Sequence, residues 1–373
     1  MLREAVYTTD DTAGWSSALP AGESVFGSVQ FANVVREHLG CEPRLYVLQD
    51  SASLIAYPFF MRSIRPAFLG EDCGRLRDTT SPDFTGPLAR GTPTRSLAVE
   101  LPTRLSTFFS SQDVVSEFIH LHPWKALTRA LRGHELQFDR EIVYIDLTAT
   151  EEQLWRHSFN HACRKNITRS KRENVRVFEA RTTGDVREFH RLYIDTMKMR
   201  NARAQYFYPL DFFVSIFDQL RGAARFALAE YRDQLVAGTL YLHDRDDVYS
   251  YLGGADARFQ HVRPTNAVVY DTILWGQREG KKRLILGGGH APNDGIVRFK
   301  ASFSAHRASF FVYRCIHLPE TYDALCRACS EVQGGELGTG TYFPRYRLLA
   351  HSGPHEAPGD SAGAAPESVP SLP

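Results

Sequence analysis

The sequence predicts an α+β fold (a three-layer α/β arrangement) of two halves, each with a mixed, largely antiparallel twisted sheet flanked by helices. Three observations predict it. The 373 residues suffice for two domains of ordinary size. A coarse rhythm of helix, strands and helix runs along the chain twice. In the second half, helical segments give way to three successive strand runs and then to helix, strand, helix, strand. That order departs from the strict βαβ alternation of a Rossmann-type sheet.

Hydrophobic residues make up 43% of the chain and charged residues 23%, a globular composition with material for two cores. The exception is His351 to Pro373, a Pro, Gly, Ser and Ala stretch expected to be a disordered tail. A net charge of +1 excludes a global field that gathers nucleic acid or anionic lipid, so any polyanion must be held by a local patch. The segment MLREAVYTTDD lacks an apolar signal core, and no run of about 18 apolar residues occurs. The chain is therefore expected to be cytoplasmic, monomeric and not inserted in a membrane.

Cys41, Cys73, Cys163, Cys315, Cys326 and Cys329 are scattered. Cys326 and Cys329 form a CxxC without a second pair at zinc-site spacing, so they are expected to be reduced and helix-borne. His157 and His161 stand four apart but lack the Glu of an HExxH motif and are expected to be structural. No metal is expected.

In the first half, a helical stretch around Val29 to Leu39 precedes strand runs at Arg44 to Gln49 and Leu54 to Met61. The region Glu71 to Pro102 is rich in Gly, Pro, Thr and Asp and is expected to be irregular. Helix is expected to return near Val114, with a strand at Glu141 to Leu147 closing the half.

The second half opens with capping-box spacing between Thr150 and Gln153, predicting a helix from Glu151 to about Arg172. A strand at Val175 to Ala180, a helix from Asp185 to about Lys198 and another running to Leu220 follow. Arg225 to Tyr231, Leu235 to His243 and Val248 to Gly253 read as consecutive strands joined by polar turns. Then come a helix (Thr265 to Glu279), a strand (Arg283 to Leu286), a short helix (Asp294 to Phe303) and a strand (Ser309 to Ile316). A helix from Glu320 to Ser330 and the aromatic Tyr342-Phe-Pro-Arg-Tyr-Arg347 close the chain, the latter needing a surface to pack on.

Three constellations carry chemistry. Gly287, Gly288 and Gly289 stand at a strand end, where the backbone can come close to a ligand. Asn293 or Asp294 then caps a helix whose free amides attract an oxyanion, and Lys300 lies within that helix. A preset cation beside such a turn suits a tetrahedral oxyanion; a Gly-rich turn followed by a solvated lysine explains the pattern equally well. Between two helices, Arg200, Arg203, Tyr206 and Tyr208 form a possible clamp for phosphate or carboxylate, or a helix end with basic residues suited to its dipole. Finally, Arg164, Lys165, Arg169 and Arg172 give a basic helix, with 165, 169 and 172 on one face. That stripe suits a tRNA backbone or nucleotide diphosphate, or is a solvated face. Tyr249 and Tyr251 alternate along a strand and read as core or as pocket wall. A Gly-x-Ser-x-Gly elbow, a Walker loop and a dinucleotide fingerprint are all absent from the sequence.

Together these stretches resemble the Fem family of aminoacyl-tRNA-dependent peptidyl transferases and their BioF2-like relatives of GNAT fold. The matching residues are Arg164-Lys-Asn-Ile with Val175-Arg-Val177, Arg200 to Tyr208, Gly238-Thr-Leu-Tyr, Tyr249-Ser-Tyr-Leu-Gly-Gly254, and above all Gly287-Gly-Gly with Asp294-Gly-Ile-Val-Arg-Phe-Lys-Ala-Ser-Phe303. Looser matches at Ser81 to Pro87 and Ser116 to Pro123 extend the likeness to about Trp15 through Arg347. The resemblance implies two GNAT-like domains: residues 1–148, completed by 318–350, and a catalytic domain at 149–317, with 351–373 as tail. It implies amide formation between an activated acyl group and an amine. Lys300, with Phe299 and Asp294 in its motif, would neutralise developing charge, and Arg200 or Arg203 with Tyr206 would hold the acceptor. No cofactor would be bound; aminoacyl-tRNA, or acyl-CoA, would be co-substrate to a small-molecule or peptidyl amine acceptor. Two features of the family are missing. There is no coiled-coil arm, and Arg258 to Ala267 offers no glycines for an acyl-CoA loop. Two rival expectations are an acyl-CoA-dependent N-acyltransferase and a non-catalytic binding protein of the same fold.

Overall fold

The computed structural model describes residues 2–20, 22–64, 75–81, 83–131, 135–289, 294–333 and 342–351. Cys73, Pro82, the link 290–293 with Asn293, and the C-terminal tail fall outside them.

In chain order the elements are β1 (Arg3–Thr8), α1 (Thr12–Ala18), α2 (Val29–Leu39), β2 (Glu42–Gln49), β3 (Leu54–Ser63), β4 (Arg77–Thr80), β5 (Leu88–Arg90), α3 (Arg95–Ser111), β6 (Val114–Leu121) and β7 (Leu136–Asp146). There follow α4 (Glu151–Gln153), α5 (His161–Arg172), β8 (Arg176–Glu179), α6 (Thr183–Met199), α7 (Leu210–Gln219), β9 (Ala224–Tyr231), β10 (Gln234–His243) and β11 (Asp247–Ala255). The chain ends with α8 (Pro264–Arg278), β12 (Arg283–Gly287), α9 (Gly295–Phe303), β13 (Arg307–Ile316) and α10 (Pro319–Gln333). No helix among the described residues is long and apolar enough to cross a membrane.

The fold is mixed α and β, with sheets that are mostly antiparallel, and it divides into two compact units. The first comprises the described residues of Met1–Pro20, Val35–Asp139 and Phe310–Glu367; the second those of Ala21–Val34 and Arg140–Ser309. The chain therefore passes from one unit to the other between Pro20 and Ala21 and again within α2, β7 and β13. In the first unit the strand order is β1-β2-β3-β4-β6-β13, with β5 on β3. In the second it is β7-β12-β11-β10-β9-β8. Among the described residues, β4 pairs with β6 and β11 with β12 in parallel.

Two expectations in the first half are corrected. Residues 95–111 form a helix, capped by the Thr94 hydroxyl on the Leu97 amide, with Pro102 inside it. Leu97, Leu101, Leu105 and Phe109 recur every fourth residue and bury one stripe on the sheet, which offsets the proline's lost hydrogen bond. Val114–Leu121, expected as helix, is a strand buried at every position. Two of its polar side chains are bonded inside: the Tyr57 hydroxyl donates to Glu117 at 2.6 Å, and Ser116 and Tyr346 share a 2.7 Å hydrogen bond. Tyr346 also donates to Asp78 at 3.2 Å, and both Arg62 and Arg347 pair with that carboxylate. The aromatic closing segment thus docks on β4 and β6 of its own unit. Cys326 and Cys329 both lie on α10 as free thiols, and the Cys329 thiol donates to the Tyr346 carbonyl at 3.1 Å.

In the second unit the Thr150–Gln153 capping box forms as expected. The helix expected to run on to Arg172 is broken. A π-type turn at Leu154–Ser158 ends in extended Phe159, and Asn160 caps a fresh helix by accepting from the Cys163 amide at 2.9 Å. The break separates His157 from His161, so they do not share a helix face. The core beneath α5, α8 and α9 gathers Phe159, Cys163, Ile167, Val268, Ile273, Leu284 and Phe303.

Candidate active site

β12 places the first constellation. Its parallel ladder with β11 runs only from Asp247↔Arg283 to Tyr249↔Ile285. Beyond it β12 runs into Gly287, whose φ of +81° is a left-handed conformation that favours glycine. A Cβ at Gly289 would lie 2.6 Å from both carboxylate oxygens of Asp294, so the turn needs a residue without a side chain there. Asp294 caps α9 by accepting from the Val297 amide at 2.7 Å. Lys300, one and a half turns on, is 2% exposed, and its ammonium donates to the Gly288 carbonyl.

Burial pushes the Lys300 ammonium down to about 7; Asp294 opposes the shift and Arg140 adds to it. Close to neutrality such a lysine exists in both forms. Charged, it offers a desolvated cation; neutral, a base. Arg140, on β7, donates from Nη1 to the Gly289 carbonyl at 3.0 Å. Sequence reasoning missed it because it lies 149 residues from Gly289, with no local pattern to mark it. Phe299 packs on Phe303 at 5.4 Å and completes the hydrophobic face of α9.

The basic helix packs on α9. Phe159 meets Phe303 at 5.9 Å, and the Asn160 amide donates to the Ser302 carbonyl at 2.9 Å. Arg164 does not join the expected donor face: its guanidinium donates to the Trp155 carbonyl at 3.1 Å and to that of Phe159, closing the helix break. Lys165 and Arg172 are exposed, and the Arg169 Nε is buried without a hydrogen-bond partner. Lys171 sits over the Tyr270 ring at 4.3 Å.

Arg200, Arg203, Tyr206 and Tyr208 lie together between α6 and α7. Arg200 caps α6, and burial lowers its pKa, while Arg203 is exposed. Tyr206 is buried, its carbonyl accepting from the Tyr193 hydroxyl, and Tyr208 stacks on Phe212 at 4.6 Å. Tyr249 is buried. It is 1% exposed, donates to Asp244 at 2.8 Å and packs on Phe26 at 5.0 Å. Tyr251 lies under the same ring, 5.8 Å away.

A further feature stands at the start of α8. A 3₁₀ turn at Ala257–Val262 leads to Arg263, held at φ +61° with no side-chain cap on the helix. Amides of the turn are spent internally: Arg258 on the Asp256 side chain, Phe259 on the Asp256 carbonyl, Arg263 on the Gln260 carbonyl. The Arg263 Nε and Asn266 Nδ2 are buried without hydrogen-bond partners.

Residues 158–301, the stretch that contains this lysine and its glycine turn, match the family model described as acetyltransferase (GNAT) domain. The second half of the chain carries a GNAT acyltransferase domain. The protein is thus an acyltransferase, of a class that joins an acyl donor to an amine acceptor. Similarity in fold extends further than the GNAT domain. FemX superposes with a TM-score of 0.67 at 10% identity, over 86% of this chain and 99% of that one. A conserved protein of unknown function from Bacteroides thetaiotaomicron gives 0.55 at 12% identity, covering 85% and 100%. The C-terminal domain (DUF2156) of a putative lysylphosphatidylglycerol synthetase from Agrobacterium fabrum gives 0.52 at 12%, covering 82% and 91%. No curated protein matches the sequence.

Proposed function

We propose that the protein forms an amide bond by moving an aminoacyl group from charged tRNA to the amine of a small-molecule or peptidyl acceptor. The observation that carries this reading is the buried Lys300 ammonium held on the Gly288 carbonyl, on a helix packed against the basic α5. The acceptor nitrogen attacks the ester carbonyl and the ester C–O bond breaks. The amine's proton passes to the departing ribose oxygen, which leaves as a hydroxyl, and Lys300 balances the negative charge that builds on the reacting oxygen. A polyanionic donor beside Lys300 raises its pKa again and keeps it charged in the complex.

Coenzyme A is the weaker donor candidate because the turn before α8 spends the Arg258, Phe259 and Arg263 amides internally rather than presenting them to a diphosphate. The orphaned Arg263 Nε and Asn266 Nδ2 keep it as the second reading. Incubation with labelled aminoacyl-tRNAs and labelled acyl-CoAs, each with a panel of amines, tests the choice. Loss of label from tRNA is the expected result; loss from coenzyme A alone overturns it.

Arg200 and Arg203 are proposed to hold the acceptor. Replacing both with Ala should raise the acceptor KM at least tenfold, since charged hydrogen bonds contribute about 1.5–3 kcal/mol each. Donor affinity should stay within a few-fold. Calorimetry that shows donor affinity collapsing instead would reverse the assignment.

A further inference from the structure

The first unit holds a second cluster of reactive side chains, which acyl transfer does not use. On the antiparallel pair β6 and β13, Glu117 stands directly opposite Cys315. His317 follows two residues later, just past the end of β13. Its Nε2 lies 3.2 Å from Glu117 Oε2, and its Nδ1 lies 3.8 Å from Cys315 Sγ. One donor atom from each of the three residues falls within 4.8 Å of the others. The cluster is inside: Glu117 is 1% exposed, Cys315 5%, and the His317 side chain 2%. Phe109 of α3 covers it, 5.0 Å from the imidazole.

The donors are braced. Tyr57 donates to the far oxygen of Glu117 at 2.6 Å, and the Cys315 thiol donates to Glu135 Oε1 at 3.0 Å. Tyr313 donates to the other Glu135 oxygen at 2.8 Å. Such bracing behind a thiol, an imidazole and a carboxylate is how metal ligands are oriented. Thiolate, imidazole and carboxylate together are a donor set that suits zinc. Zinc bond lengths place sulfur and nitrogen about 3.5 Å apart across a tetrahedral ion, close to the 3.8 Å between Cys315 Sγ and His317 Nδ1; Glu117 meets the opposite ring nitrogen, so it joins the same ion by turning from Nε2 toward Nδ1.

We propose that Glu117, Cys315 and His317 bind one thiophilic divalent cation of the zinc type, as a clamp between β6 and the end of β13. Binding displaces the Cys315 thiol proton, for which Glu135 is the adjacent acceptor, and takes His317 as neutral imidazole. Thiolate and carboxylate then balance the two positive charges.

Titrating the metal-stripped, full-length protein with Co²⁺ tests this. The expected result is an intense thiolate-to-cobalt absorption that saturates at one equivalent and is abolished by Zn²⁺, with Zn²⁺ raising Tm. Cys315→Ser should remove the band, and His317→Gln should weaken binding at least tenfold. The double variant Cys326→Ser/Cys329→Ser should keep the band. No saturable band in the wild type, a band that survives Cys315→Ser, or one lost with Cys326 and Cys329 overturns the proposal. Should Cys315→Ser fail to fold, the wild-type titration and the double variant decide alone.

Discussion

Lys300→Met should lower the rate of acyl transfer by about 10²–10³ while raising thermal stability at and below neutral pH. The rate loss follows from removing a preset, desolvated charge beside the reacting oxygen. The stability gain follows from burial. The lysine titrates near 7 when folded and near its usual 10.5 when unfolded, so the unfolded chain binds more protons between those values. Wild-type stability contributed by this group therefore rises with pH across that window and is lowest below it. Methionine fills a similar volume without the charge. The same titration gives a second readout: kcat/KM should fall as pH rises through about 7, because the cation is the working form. A profile that instead rises through that region identifies Lys300 as a base, and a variant within a few-fold of wild type removes it from the chemistry.

The triple variant Lys165→Gln, Arg169→Gln, Arg172→Gln should flatten the dependence of log K on log salt by roughly two to three units, at about 0.7–0.9 per phosphate contact. Donor binding should weaken at the same time. These three are the right set because Arg164 is committed to the Trp155 and Phe159 carbonyls and Lys171 to Tyr270. If coenzyme A is the donor, the slope starts shallow and moves little. Filter binding of charged tRNA across a salt series separates the outcomes.

What could be read from the sequence depended on whether local pattern and long-range packing agreed. The second half was legible because β9, β10 and β11 follow one another through short polar turns, and because α9 has a capping aspartate after a glycine run. α3 was hidden by Pro102, whose presence outweighed a fourfold repeat of leucine and phenylalanine. β6 was hidden by Ser116 and Glu117: polar residues in a fully buried strand make sense only once Tyr346 and Tyr57 arrive from elsewhere to bond them. The site shows the same limit. Gly287, Gly288, Gly289, Asp294 and Lys300 are close in sequence, whereas Arg140 reaches Gly289 only through the pairing of β7 with β12. Arg164 looked like part of the basic face until the break at Phe159 gave it carbonyls to hold.

The order in which the first unit's segments leave the ribosome sets its schedule. Its sheet needs β13, and its last helix and closing aromatics come later still, yet about 170 residues separate Asp139 from Phe310. At synthesis rates of ~5–20 residues per second, β6 waits roughly 10–30 s for its neighbour. Throughout that interval a strand made for burial on both faces carries an open edge, the feature by which nascent chains stick to one another. The intervening second unit can begin folding during the wait. Expression of residues 1–148 alone makes the wait permanent, and such a fragment should accumulate as insoluble aggregate or remain bound to chaperones.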